Sequence, residues 1–139
     1  MRTNLTSQIT LNRVSTKYYK PENAVERSVL TRFEKVPTDI YESVDEGVAH
    51  IANEIAGRIQ DRQREGKFFV IGAGTGASLR PLYAELVRKH KDEGLSFRNV
   101  VIFNLYEYYP LAPESAGSSF MQLKDLFVDQ IDIDKQNVF

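Results

Sequence analysis

The chain has 139 residues, no cysteine and a formal net charge of −1, with 42% hydrophobic and 27% charged residues. This composition is typical of a globular domain, and the lack of cysteine excludes disulfides, thiolate metal sites and a cysteine nucleophile in this chain. A net charge so close to zero does not favour nucleic acid or a membrane surface as a partner. Because the sequence carries no apolar signal region and no run long enough to span a membrane, we expect a cytoplasmic protein.

The first 66 residues are predicted to form an arm and two helices. Residues 1–20 are polar and carry no clear pattern, so we interpret them as an N-terminal arm. Apolar residues at helical spacing predict a short helix over 23–34. Ser43 and Glu46 have the spacing of a capping box at the start of a longer helix, and Gly66 is a typical C-terminal stop. The apolar stripe of this second helix predicts that it covers a face of a sheet.

Two short apolar runs, 68–71 and 100–103, predict strands. Unbroken apolar runs of this length suit strands that are buried on both faces of a parallel sheet. A glycine-rich turn and a helix over 78–93 lie between them, and Pro81 is acceptable in the first turn of that helix. Strand, helix and strand together predict a right-handed βαβ unit, so the expected fold class is α/β.

The last third of the sequence predicts a loop, a helix and the beginning of another strand. The loop covers 106–117, Ser118 or Ser119 caps the helix, and 131–139 leads into the strand. Two or three parallel strands leave bare sheet edges. We therefore expect the N-terminal part of a larger α/β domain, and a tendency to form homo-oligomers.

The turn at 72–78, GAGTGAS, is the first candidate site. Glycines allow the backbone to approach a ligand closely, and the start of the following helix presents free N–H groups to an anion. Thr75 and Ser78 add hydroxyl groups. The glycine spacing fits neither the dinucleotide-binding nor the Walker pattern. The pattern favours a phosphate site, with a purely structural turn as the alternative.

The second candidate site is the segment 104–109, at the carboxyl end of the second strand. Ligands of open parallel sheets bind at this edge. Glu107 is the one carboxylate in the segment, and tyrosines surround it. A carboxylate in an aromatic pocket can have a raised pKa and act as an acid or base; the alternative is an ordinary surface glutamate. For His50 and His90 we expect no catalytic role.

Four motifs follow one another in the second half of the chain. They are the turn at 72–79, the pair Ser96-Phe97, the strand end Phe103-Asn104-Leu105-Tyr106-Glu107-Tyr108, and the segment with Pro113-Glu114-Ser115 and Ser119-Phe120-Met121. In this order and spacing they resemble the glucosamine-6-phosphate deaminase/isomerase family, which is related to the 6-phosphogluconolactonases. The resemblance covers about 68–139, roughly half of the chain.

The resemblance implies a Rossmann-like three-layer α/β sandwich with a mostly parallel sheet, of which 21–139 would be the N-terminal portion. It also implies a small-molecule sugar phosphate as substrate, an aldose–ketose isomerisation with release of ammonia in amino-sugar catabolism, and neither a metal nor another cofactor. Residues matched to the family's phosphate-binding turn are Thr75, Gly76, Ala77 and Ser78.

Tyr106 is the main departure from the family pattern. The family has an aspartate at this position, which moves the proton between two sugar carbons, and a tyrosine with a pKa near 10 is a poor base at neutral pH. Glu107 cannot simply replace it, because neighbouring residues of a strand point to opposite faces. We therefore expect Glu107 to have a supporting catalytic role and Tyr106 to shape the pocket or donate a hydrogen bond.

The resemblance places the family's other catalytic residues downstream of Phe139, so the 139 residues alone are expected to be inactive. Two alternatives remain open. One is a non-catalytic, sugar-phosphate-binding regulatory module, which the loss of the aspartate favours. The other is a 6-phosphogluconolactonase-like hydrolase acting on another phosphosugar.

Overall fold

The computed structural model describes residues 21–36, 38–112 and 114–139. By its internal contacts the chain divides into two compact units, Met1–Glu42 and Ser43–Phe139. The predicted arm at 1–20 lies outside the described residues, so its separation from a domain at 21–139 stays a prediction. Pro113, which belongs to one of the four motifs, also lies outside them. No helix in the described part of the chain is long and apolar enough to cross a membrane.

Helix α1, Ala24–Thr31, is the regular element of the first unit. Asn23 caps it, since its side-chain oxygen accepts a hydrogen bond from the Glu26 N–H at 2.9 Å. The predicted helix is therefore present. It ends before the predicted boundary at residue 34, with Arg32 as its C-cap.

Helix α2, Val44–Arg64, opens the second unit. The predicted cap is confirmed: Ser43 Oγ accepts a hydrogen bond from the Glu46 N–H at 3.1 Å. The predicted stop is also confirmed, because Gly66 follows the helix with φ of 67°, a left-handed conformation that glycine adopts without steric cost. Ala52 and Ile59 of α2 are fully buried.

Two parallel strands form the sheet, β1 at Phe69–Ala73 and β2 at Val100–Asn104, in a register that pairs Phe69 with Val100 and Ala73 with Asn104. The connection consists of a 3₁₀ turn, Ala77–Leu79, and helix α3, Arg80–Glu93. Gly94 ends α3 with φ of 73°. The predicted βαβ unit is thus confirmed.

Helix α4, Ser119–Leu126, follows β2 after a long loop, and Ser118 caps it. The chain then returns to the sheet, where Val138 forms a parallel bridge with Ile102. The Phe139 N–H donates to Ile102 O at 2.9 Å, and the Asn104 N–H donates to Phe139 O at 2.7 Å. The predicted strand start at the end of 131–139 is therefore present, and β2 lies between it and β1.

Helices α2, α3 and α4 share one hydrophobic core with the inner face of the sheet. In this core the ring of Phe127 stacks on Tyr83 at 5.0 Å and meets the edge of Phe97 at 5.5 Å between centroids. Burial of this apolar surface is the main source of stability for the unit.

The outer face of the sheet differs from the prediction. Phe68 and Val70 are 61% and 58% exposed, and Phe103 and Leu105 on the neighbouring strand are exposed as well. The expectation of strands buried on both faces is therefore wrong for the described residues. The physical reason is that side chains of a strand alternate between faces, and the core helices pack on only one of them. The α/β class with a short parallel sheet is confirmed.

Candidate functional site

Both candidate stretches lie at the same edge of the sheet, where β1 and β2 end. Ala73 and Asn104 are the last residue pair of the two strands. The ladder continues one step further, because the Leu105 N–H donates to Ala73 O at 2.9 Å. The structure therefore places the glycine turn beside the segment that carries Tyr106, although the two are far apart in sequence.

Two glycines of the turn allow this close approach. A Cβ atom on Gly72 would lie 2.8 Å from Leu105 Cδ2, which is too close for carbon atoms, and one on Gly74 would lie 3.3 Å from Tyr106 Cε1. Gly72 and Gly74 therefore lie directly against the side chains of Leu105 and Tyr106 at the end of the neighbouring strand.

Tyr83 of α3 holds the turn from the side of the hydrophobic core. This role of Tyr83 was not predicted from the sequence. Its hydroxyl group donates a hydrogen bond of 2.6 Å to Gly74 O, and its ring is buried in the core. Burial raises the pKa of Tyr83, which keeps the phenol protonated as a donor. Helical spacing carried a signal for this residue, because Tyr83 precedes the inward-facing Leu86 and Val87 by one turn.

The phenol oxygen of Tyr106 lies directly on the turn. It accepts a hydrogen bond from the Thr75 N–H at 2.9 Å and lies 3.1 Å from Thr75 Oγ1. The Thr75 hydroxyl, followed by the N–H groups of Thr75 and Gly76, lowers the pKa of Tyr106 below its ordinary value. Tyr106 thus accepts a hydrogen bond from the turn, and in its contact with Thr75 Oγ1 either hydroxyl group can be the donor. The predicted role of Tyr106, to shape the pocket or donate a hydrogen bond, stays a prediction.

Residues 76–78 form the exposed part of the turn. Among the described residues, no side chain caps either the 3₁₀ turn at Ala77–Leu79 or the start of α3. The Leu79 and Arg80 N–H groups donate to Gly76 O and Ala77 O, and Pro81 has no N–H. The backbone donors that an anion could use are therefore those of residues 76–78, which lie at the positive end of the helix dipole. This segment can therefore receive an anion from solvent.

Glu107 is held by four hydrogen-bond donors. Its Oε1 accepts from the N–H groups of Tyr108 at 2.8 Å and Ser119 at 2.9 Å. Its Oε2 accepts from the Ser118 hydroxyl at 2.6 Å and the Phe120 N–H at 3.1 Å. The Ser118 hydroxyl and then these N–H groups lower the pKa of Glu107 to about 2. The expectation of a raised pKa is therefore wrong, because the carboxylate is held by hydrogen-bond donors.

A cleft of about 450 Å³ lies at this edge of the sheet. The residues that line it are Asn104, Tyr106, Glu107, Phe120, Val138 and Phe139. Asn104 donates from Nδ2 to the Tyr106 backbone oxygen at 2.9 Å, while its Oδ1 is buried and has no hydrogen-bond partner among the described residues. The cleft therefore combines an apolar wall with polar groups, as ligand sites commonly do.

A larger hollow of about 560 Å³ lies beside the amino end of β1, and Arg58, Arg62 and Glu65 are among its lining residues. Its charged side chains are engaged with near neighbours: Arg58 pairs with Glu54 at 2.5 Å and Arg62 with Glu65 at 3.1 Å. Ligands of open parallel sheets bind at the carboxyl edge, so the smaller cleft is the better candidate site.

His90 is separate from this site. Its Nδ1 lies 2.6 Å from Leu95 O, just after the carboxyl end of α3, and its ring meets the edge of Phe97. His90 therefore has a structural role at the end of α3 and contributes no group to the cleft at the carboxyl edge of the sheet.

The fold and the site together define an α/β protein with a glycine-rich turn and a cleft at the carboxyl edge of a parallel sheet. No protein-family model matches the chain. A glucosamine-6-phosphate deaminase-like protein of Bacteroides thetaiotaomicron is 59% identical over all 139 residues, which span 21% of that protein. A glucosamine-6-phosphate isomerase of Candida albicans is 35% identical over 99 residues, which cover 71% of this chain and 39% of that protein.

Solved structures also match the fold. A monomeric glucosamine-6-phosphate deaminase of the NagB superfamily is 28% identical, with a TM-score of 0.65 over 71% of this chain and 39% of that one. The crystal structure of a devB protein, at 19% identity and a TM-score of 0.58, shows the same fold alone. The chain is therefore homologous to the glucosamine-6-phosphate deaminases, as the four motifs predicted, and it spans a fifth to two fifths of the length of these relatives.

Proposed function

We propose that this chain is the N-terminal, phosphate-binding portion of a cytoplasmic glucosamine-6-phosphate deaminase/isomerase-like protein. The single observation that carries the proposal is the glycine-rich turn at 75–78, whose residues 76–78 are exposed at the carboxyl edge of the sheet beside the end of β2. Homology to glucosamine-6-phosphate deaminases supports a sugar phosphate as the ligand.

Thr75, Gly76, Ala77 and Ser78 are the proposed phosphate ligands. Their backbone N–H groups, the hydroxyl groups of Thr75 and Ser78 and the positive end of the α3 dipole all favour a phosphate dianion. The sugar would then extend into the cleft towards Asn104 and Phe120. Glu107 has a positioning role in this proposal, because it joins the end of β2 to the start of α4 and so fixes the backbone beside Tyr106.

An aldose–ketose isomerisation needs a base that moves a proton between adjacent sugar carbons. Glu107 is held by four donors and is not free for this step. The ordinary pKa of a tyrosine is near 10, and the Tyr106 oxygen is already engaged by the Thr75 N–H. We therefore propose that these 139 residues bind sugar phosphate without turnover, and that catalysis uses residues of a longer, homo-oligomeric protein.

Calorimetric titration with glucosamine 6-phosphate, and with glucosamine as the unphosphorylated control, tests the binding. We expect binding of the phosphosugar alone. Ala77→Asp places a carboxylate at the proposed anion site and is expected to weaken binding at least tenfold, on the order of 1.4 kcal/mol. The matched control is Ala112→Asp, at an exposed position of the loop after β2. Equal binding by both variants would contradict the proposed site.

A sugar-phosphate-binding regulatory module is the second candidate function. The observation that favours it is Tyr106, which stands where the deaminase pattern has a carboxylate and whose hydroxyl is bound to Thr75. Ammonia release from glucosamine 6-phosphate by the product of the complete gene separates the two. Turnover supports the enzyme, and phosphosugar binding without turnover supports the regulatory module.

A further inference from the structure

The contact between Tyr106 and Thr75 uses the groups that would hold a phosphate. The phenol oxygen accepts the Thr75 N–H at 2.9 Å and lies 3.1 Å from Thr75 Oγ1. The first distance is normal for an N–H···O hydrogen bond, and the second is slightly long for a bond between two hydroxyl groups. The Gly76 N–H also lowers the pKa of the phenol, so the oxygen lies close to two consecutive backbone donors of the turn.

The surroundings allow the side chain of Tyr106 to leave while its backbone stays in place. Tyr106 is 44% exposed, whereas Thr75 is only 8% exposed. The Tyr106 backbone oxygen is held by Asn104 Nδ2 at 2.9 Å. One edge of the ring lies against Gly74, which carries no side chain. The contact with Thr75 is therefore made by a half-exposed side chain on a backbone that is held separately.

We propose that Tyr106 is an internal competitor for the phosphate-binding turn. The Thr75 N–H donates its hydrogen bond either to the Tyr106 hydroxyl or to a bound sugar phosphate. One N–H group makes one short, linear hydrogen bond. A phosphate oxygen and the Tyr106 hydroxyl oxygen therefore cannot both accept the Thr75 N–H at the same time. The inference rests on the proposed function, because it assumes that the turn at 75–78 is the phosphate site.

The competition sets the apparent affinity. A ligand that must displace an internal contact binds only the molecules in which that contact is open. Its apparent Kd is therefore the intrinsic Kd divided by the open fraction. Removal of the hydroxyl by Tyr106→Phe keeps the ring and abolishes the competing acceptor. Since one hydrogen bond is displaced, we expect this variant to bind inorganic phosphate and glucosamine 6-phosphate about fivefold more tightly.

Calorimetry on the wild type, Tyr106→Phe and Tyr109→Phe is the first test. Tyr109 belongs to the same loop and is 99% exposed, so its variant is expected to bind as the wild type does. Tighter binding by Tyr106→Phe alone supports the inference. If the wild type binds and Tyr106→Phe binds equally or more weakly, the competition is overturned and the phosphate site stands. If no variant binds either ligand, both the site and the competition are overturned.

A second measurement uses the wild-type protein and does not depend on a variant's affinity. Tyrosine labelled with ¹³C at Cζ gives one signal per phenol, and the signal absent from Tyr106→Phe identifies Tyr106. We expect saturating glucosamine 6-phosphate to shift this signal towards the position of a solvated tyrosine. An unmoved Tyr106 signal at demonstrated saturation would overturn the displacement.

Discussion

Two helix starts lie at the same edge of the sheet and satisfy their N–H groups in opposite ways. The start of α4 is saturated from within the chain, because Glu107 and Ser118 supply acceptors to its first residues. The start of α3 has no side-chain cap among the described residues. One helix start thus holds an internal carboxylate, whereas the turn before the other contacts the Tyr106 hydroxyl, which we propose that a phosphate displaces.

This difference explains why the two candidate stretches of the sequence have different roles. An anion at a helix N-terminus is stabilised by free N–H groups and the dipole whether it comes from the chain or from a ligand. Glu107 uses that effect to hold the start of α4, and in our proposal the turn at 75–78 uses it to bind a phosphate. Tyr106 lies between the two, with its backbone next to Glu107 and its hydroxyl on Thr75.

The largest expected effect is a loss of thermal stability when the carboxylate at the start of α4 is removed. Glu107→Ala leaves the Ser118 hydroxyl and the Ser119 and Phe120 N–H groups without their acceptor. We expect Tm to fall by about 10 °C, since losing several hydrogen bonds at once costs a domain of this size that much. Differential scanning calorimetry measures the change.

The control for this variant is Glu114→Ala, which removes an exposed carboxylate from the same loop and is expected to leave Tm within about 2 °C. An equal Tm for the two variants would show that Glu107 does not stabilise the start of α4.

A smaller effect is expected below the turn at 75–78. Tyr83→Phe removes the hydrogen bond to Gly74 O and leaves that buried carbonyl without its donor. We expect the free energy of unfolding to fall by about 1–2 kcal/mol, as measured by urea denaturation. Phosphosugar affinity should fall too, because the turn is less firmly held. Unchanged stability would mean that water replaces the phenol at no cost.

The smallest expected effect is the dependence of stability on pH through the charge of Glu107. Its pKa is lowered in the folded protein from 4.5 to about 2, so its contribution is complete above pH 4.5 and is lost as the pH falls towards 2. Glu107→Gln lacks this titration. The difference in Tm between wild type and variant should therefore shrink over that interval, and a constant difference would contradict the lowered pKa.

Local signals in the sequence predicted the fold well. Ser43, Gly66, Gly94 and Ser118 each mark a helix end where the structure has one, because caps and left-handed glycines act within one turn of backbone. The exposed row that includes Phe68 and Val70 was not predicted, because which face of a sheet is covered depends on helices distant in sequence.

The site was predicted less completely for the same reason. The turn at 75–78 was recognised from its own residues, and its role as a phosphate site stays a prediction. The bond between Thr75 and Tyr106 spans 31 positions and follows from the register of β1 and β2. The low pKa of Glu107 depends on where α4 begins, which composition around residue 107 does not encode.

Titration of ¹⁵N-labelled protein with glucosamine 6-phosphate, followed by amide chemical shifts, compares the two helix starts in one measurement. We expect the amide signals of Gly76, Ala77 and Ser78 to shift in a saturable way. Those of Ser119 and Phe120, which already donate to Glu107, should move far less. Shifts concentrated at Ser119 and Phe120, or no shift at 76–78 with the phosphosugar in excess, would contradict the phosphate site at the start of α3.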